Sequence, residues 1–409
     1  MDTQESTGRR RFLTLGSLLL GGTAGCLRLT EGETTTTSTG SIQSQSEPSS
    51  NTATTTTYPS LKLTRVSDIG FEHPNSSPGT RFVAIDDGRV AAIGGRAVKI
   101  VDADRVVVEE SVPIPNVSNF GAHGMNSHDE SVYAAVGGSG SARVIKISPG
   151  SGEVWRFEED AFGPNVLRKV GGPVLTDSVV AVTVATTDNR EGESETEVYL
   201  LDAESGELVA SPEAAPGAEG SLYTTGIAAG AGFVVLSSHT GYDFYDVAAR
   251  EYVGSASGYG AEEPIVHDGV FYTGKAAYDV STREKRWENG GSPASLGTTR
   301  TGDSIYYGTP VSGVGREDGS LRWTFEPDGT VRSVTTAGDG EVWVGAERDA
   351  TPALVYRIDA EDGSVLGASE FPPVGDSPIS TPYGLLRHGD RLLVGSYDSI
   401  TAYDVDSRA

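Results

Sequence analysis

Past residue 60, apolar positions fall in short runs that alternate with polar ones and are cut by turns rich in Gly, Asp and Asn. Alternation with a period of two marks strands half-buried on a sheet, whereas a helix repeats its apolar face every 3.6 residues. Helical periodicity is scarce here, so the pattern predicts an all-β chain.

One turn recurs after an apolar strand, of the form Asp-x-x-(Ser/Asp)-Gly-(Glu/Ser). Val198–Ala210 (VYLLDAESGELVA) and Val355–Ala368 (VYRIDAEDGSVLGA) are its clearest copies. Together with looser copies they place the Asp position at Asp102, Ser148, Asp202, Asp246, Asp279, Gly315, Asp359 and Asp404, spaced 33 to 54 residues apart. The mean, about 43, matches the roughly 40–50 residues of a four-stranded propeller blade. Eight units therefore predict an eight-bladed β-propeller of antiparallel blades. The last unit shows only three strands before the chain stops, with turns at His388–Asp390 and Tyr397–Asp398. Leu61–Val66 (LKLTRV) is the candidate for its fourth strand, which would seal the ring and remove an exposed edge.

The repeat resembles the pyrroloquinoline-quinone-like β-propeller family, whose unit ends in a Gly-(Lys/Glu)-x-x-Trp strand. Trp155, Trp287 and Trp323 stand at or near that Trp position, with Ala210 and Gly367 replacing it in two units. The resemblance spans Leu61 to Ala409 and implies that these rings dock between neighbouring blades. It also brings quinoprotein alcohol dehydrogenases into view, which use a vicinal Cys pair, a Ca²⁺ ion and a catalytic Asp. Cys26 is the sole cysteine, so that disulfide cannot form. No cofactor is expected, neither the quinone nor Ca²⁺, and no catalytic or metal-ligating residue is assigned. A quinone- or metal-dependent oxidoreductase is the alternative reading.

Residues 1–25 read as a signal peptide. Arg9-Arg10-Arg11 precedes a short apolar stretch, Leu13–Leu20, and small residues ending in Ala24-Gly25-Cys26, the pattern of a twin-arginine export signal with a lipobox. Cys26 is the predicted lipidation site, and lipid on it the predicted link to the membrane. Residues 26–60, mostly Thr, Ser, Gln, Gly and Glu, offer too little apolar surface to offset ordering entropy and are expected to form a disordered stalk. The propeller is assigned to residues 61–409. Asn75 and Asn116 head N-glycosylation triplets.

The net charge of −26 comes from 57 acidic against 31 basic residues, of which six are Lys. Such acid-rich, lysine-poor surfaces resemble those of haloarchaeal proteins, where concentrated salt screens self-repulsion. With no basic patch to neutralise phosphates, nucleic acid is excluded as a partner.

The six histidines form no metal-ligand spacing. His267 and His388 precede matching turns, while His123 and His128 are weighed as a metal pair and set aside as strand and turn residues. The acidic stretch Asp188–Glu197 lacks the ligand spacing of a calcium loop and reads as a solvated hairpin tip. Ser257–Glu263 and Phe120–Met125 are candidate lining for one face of the ring. In size, anchor and repeat the chain also resembles the lipoprotein propellers of bacterial outer-membrane assembly, a role not carried over to a halophilic archaeon. The expectation is a monomeric, lipid-anchored propeller on the extracytoplasmic face, a non-catalytic scaffold for a protein or surface ligand.

Overall fold

The structure is a computed structural model. It describes residues 58–71 and 80–406 apart from 87, 95–96, 115–121, 139–140, 160–165, 177, 189–193, 213–223, 239–240, 259–263, 290–298, 302–303, 309, 339, 349–351, 372–380 and 397–398. Among the described residues the regular elements are strands, arranged as eight four-stranded antiparallel sheets. Blades 1 to 7 are consecutive: Arg81–Pro113, Ala122–Glu159, Val166–Ala210, Thr224–Ser257, Ile265–Glu288, Thr299–Phe325 and Thr330–Glu370. Blade 8 joins Gly384–Val405 to a strand from the other end of the propeller, Leu63–Gly70. The innermost strands of blades 8 and 1 touch, so the ring is closed: an eight-bladed β-propeller.

Closure comes from the N-terminal side, as expected, but with a shifted strand. Leu63–Gly70, rather than Leu61–Val66, runs antiparallel along the last strand of blade 8. Leu63 faces Val405, while Thr401 and Ala402 face Asp68 and Ser67. The reason lies just upstream, where Pro59–Leu61 is held by blade 7. The Leu61 amide donates to the Ala368 carbonyl and the Ala368 amide to the Pro59 carbonyl, both at 2.9 Å. Tyr58 packs its ring edge-on against Phe325 and Tyr356. The N-terminal segment thus clasps two blades.

The core lies between blades. Alternate residues of each sheet face opposite neighbours, so one strand feeds two cores: Ala91 and Ile93 pack towards blade 2, Val90 and Ala92 towards blade 8. At the inner ends of blades 2 and 3 the backbones come close together. A Cβ on Gly124 would lie 1.7 Å from the Gly172 carbonyl oxygen. Gly124→Ala is therefore expected to destabilise the protein by about 1–3 kcal/mol, because backbone cannot yield as a side chain can. The urea unfolding midpoint reads this directly.

Candidate functional site

Alternating strand direction assigns the connections to two faces. Turns between first and second, and third and fourth, strands share one face; the remaining connections share the other. The repeated turn belongs to the first face, because each copy starts at or next to the end of a third strand. On the other face lie the blade-to-blade connections, the longest being 211–223 and 371–383.

The repeated turn is built by its own residues. Asp202 Oδ1 accepts from the amides of Glu204 and Ser205 at 3.0 and 2.8 Å, and Asp279 Oδ1 from those of Ser281 and Thr282 at 3.0 and 3.1 Å. Asp side chains favour such turns because they satisfy amides that no strand can reach. The residue four beyond returns its amide to the Asp carbonyl, as in Gly206 and Gly363 at 2.9 and 3.0 Å. That position needs a left-handed backbone. Its φ is +54° at Val106, +75° at Gly152, +74° at Gly206, +59° at Arg250, +63° at Arg283, +66° at Gly319 and +75° at Gly363.

Hydrogen bonding holds the carboxyls of Asp102, Asp202 and Asp279 below the ordinary carboxylate value. Its largest source is the Arg105 amide, the Ser205 amide and the Arg286 guanidinium, respectively. The folded state then binds fewer protons than the unfolded chain around pH 4. Stability from these groups is complete above that value and is lost as pH falls through the depressed ones. Asp279→Asn, which keeps an acceptor in the turn, is expected to flatten the loss of stability below about pH 4, measured by urea titration at several pH values.

Each turn is also one half of a seam with the preceding blade. Trp155, Trp287 and Trp323 occupy matching places on outermost strands, opposite Lys146, Ala277 and Gly313. Their indole N–H groups cross the seam and donate to the carbonyls of Ala203, Arg316 and Ala360, at 3.2, 2.9 and 3.0 Å. Each acceptor follows the Asp position of the next blade. Each ring also lies over the glycine of that turn: a Cβ on Gly206, Gly319 or Gly363 would sit 2.5 to 2.6 Å from ring carbons. Glycine is needed there for space as well as for φ.

The same register identifies residues at the Trp position that sequence reasoning did not place there: Glu110, Gly254 and Ser67, beside the anticipated Ala210 and Gly367. Sizes complement across the seam. Large Trp155, Trp287, Trp323 and Glu110 face Gly206, Gly319, Gly363 and Gly152, and small Gly254 faces Arg283. A Cβ on Gly254 would meet the Arg283 side chain at 3.0 Å, so there the guanidinium side fills the gap from the opposite direction. Between blades 7 and 8 the filler over Gly367 is Leu61, supplied by the N-terminal clasp. At the closing seam Arg391 Nη1 donates to the Ala103 carbonyl at 3.0 Å, the bond an indole makes elsewhere.

At the seam between blades 1 and 2 Glu110 stands over Gly152 and accepts the Gly150 amide at 3.0 Å. Beside it is a cleft of about 350 Å³ lined by Arg89, Ile100, Glu109, Glu110, Pro149 and Gly150; a cleft of about 270 Å³ lies in the matching place between blades 5 and 6, lined by Asp268, Val270, Tyr272, Arg286, Arg316 and Glu317.

Other candidates resolve as structural. His128, His267 and His388 each end an innermost strand, before the first turn of blades 2, 5 and 8. His267 contacts Asp268 at 3.0 Å, and His388 reaches Asp104 of blade 1 at 3.7 Å. His123 and His128 share one strand, five residues apart and so about 17 Å along it, too far to hold one ion. Ala122–Met125 belongs to that innermost strand, not to a loop. Among the described residues the most buried ion pair, Glu341 with Arg357, is completed by the Trp343 indole at 3.1 Å. Asp243 is the only described carboxylate pushed upward, by burial. Of the stretch Asp188–Glu197, Asp188 and Ser194–Glu197 belong to the two strands of a hairpin, paired up to Thr187 and Ser194, so the turn is shorter than expected; residues 189–193 lie outside the described residues. Cys26, Asn75, Asn116, His73 and His239 also lie outside them. Among the described residues no group of three or more His, Cys, Asp or Glu is placed to hold a metal ion.

No family model matches the chain, and no curated protein does. Among solved structures it is similar to BamB from Moraxella catarrhalis, with a TM-score of 0.54 and 16% identity over 85% of this chain and 99% of that one. At that identity the likeness shows the fold alone, that of a β-propeller.

Proposed function

We propose that this protein is a lipid-anchored platform on the extracytoplasmic face of the membrane, exported by the twin-arginine route, which binds other proteins without catalysing a reaction. The carrying observation is the closed ring whose first strand is built into its last blade. A tether leading from Cys26 would then join the propeller through a segment bonded to both blade 7 and blade 8. The resemblance to assembly-lipoprotein propellers and the structural likeness to BamB support a binding role. The face carrying the long connections supplies area for a partner, since loops set on a rigid scaffold are where recognition residues usually lie.

Cys26→Ser is expected to release the protein into the medium, and replacing Arg9 and Arg10 by Lys to stop export; fractionation of cells checks both. Persistent membrane attachment of the Cys26→Ser protein would overturn the anchor. Pull-down from detergent-solubilised membranes should recover a stoichiometric protein partner. Saturable quinone-dependent dye reduction with alcohols or sugars would replace the platform by an oxidoreductase.

A further inference from the structure

At three of the five seams without a tryptophan, another side chain takes over part of the indole's work. Arg283 fills the space over Gly254, Arg391 makes the hydrogen bond to the Ala103 carbonyl, and Leu61 covers Gly367. Two of these three substitutes are arginines. The seam between blades 1 and 2 keeps the receiving half intact: Gly152 with φ +75° at the fifth turn position, and the Pro149 carbonyl at the position of Ala203, Arg316 and Ala360. Its own residue, Glu110, is shorter than an indole and, as a carboxylate, can only accept hydrogen bonds, so it cannot donate to that carbonyl. Half-buried Pro149, above the fully buried Ile100, gives the cleft its apolar side, and Glu109 and Glu110 give it two carboxylates. The one cation lining it, Arg89, is held by Asp86 through Nε at 2.6 Å. Glu109 already accepts a guanidinium at its rim, that of Arg105 at 3.2 Å.

We propose that the cleft between blades 1 and 2 is a docking slot for an arginine side chain presented by a partner polypeptide. A guanidinium is small and flat enough to enter a cleft of about 350 Å³, and the corresponding cleft between blades 5 and 6 is itself lined by two guanidiniums, those of Arg286 and Arg316. It donates in a fork to a carboxylate while a further N–H turns to a carbonyl, and its weak hydration suits a half-apolar cleft. Lysine carries the charge without the plane or the fork. The strongly acidic surface draws a basic segment towards the slot. The slot is separate from the face of long connections, so failure here leaves the platform reading standing, and failure of membrane anchoring leaves the slot standing.

Calorimetric titration of the full chain with the capped tripeptide Gly-Arg-Gly tests this, beside versions carrying lysine, citrulline or tryptophan at the centre. The arginine peptide is expected to bind saturably, the lysine peptide at least about tenfold more weakly, and citrulline not at all. Glu110→Trp, which gives this seam the ring three others have, should abolish binding while the protein stays folded. If that variant fails to fold, Glu110→Gln, equal in size, should weaken binding at least about tenfold. Unchanged affinity in a folded Glu110→Trp or in Glu110→Gln overturns the proposal. So do equal binding of the citrulline peptide, tighter binding of the tryptophan peptide, and no saturable binding of the arginine peptide.

Discussion

A chain shortened to begin at Glu72 is expected to lose its cooperatively folded state, whereas one beginning at Tyr58 keeps it. The shorter chain lacks Leu63–Gly70, and with it the whole outer pairing of blade 8 from Leu63–Val405 to Gly70–Ser399. It also loses Ile69 and Phe71 from the core between blades 8 and 1, and Leu61 from the core between blades 7 and 8. What remains is a three-stranded last blade with an open edge and two uncovered apolar seams. An open edge of that kind is a template for aggregation, and two incomplete cores remove several large side chains at about 2–5 kcal/mol each. Near-ultraviolet circular dichroism and gel filtration would show the loss as missing tertiary signal and aggregation. A peptide spanning Tyr58–Phe71 should restore both when added in trans. Equal thermal unfolding of the two shortened chains would show that the clasp is dispensable.

The second large effect concerns the seam between blades 6 and 7. Trp323→Gly removes a buried ring and its bond to the Ala360 carbonyl, an expected loss of about 3–5 kcal/mol. Gly363→Arg alone should also be costly, since its side chain would start 2.6 Å from the Trp323 ring. Together they recreate the pair found between blades 4 and 5, where Gly254 faces Arg283. The double variant should therefore be more stable than the sum of the single losses predicts, by at least about 1 kcal/mol in a double-mutant cycle. Strict additivity would mean that the seam is not the unit in which these residues act.

Much of the architecture was legible before any coordinates. All eight Asp positions of the repeat, including the degenerate ones at Ser148 and Gly315, do stand at or next to the end of a third strand, and the seven turns described have a left-handed fifth residue, because turn chemistry is a local requirement. The end of the ring was harder to read. Leu61 looked like the start of a strand because it is apolar and precedes alternating residues, yet it serves a neighbouring blade as a plug over Gly367. Apolar character records that a residue is buried, not what covers it.

The candidate slot was less visible. Glu110 sits in VVVEESV, a run with no tryptophan, and Gly152 follows a turn that begins with Ser148 rather than Asp. Neither half announces that they meet, since Gly150, which Glu110 holds, lies 40 residues away. The pairing of Trp with Gly at three seams, and of Gly with Arg at one, joins neighbouring blades and is written on two different repeats.

By itself the chain determined strand period, turn chemistry and the number of units, since each depends on residues close in sequence and on the alternation of two faces. Only the tertiary structure decided which strand seals the ring, which side chains meet across the seams, and where clefts remain beside them. Those outcomes depend on space shared by segments far apart in sequence, and volume complementarity has no local signature.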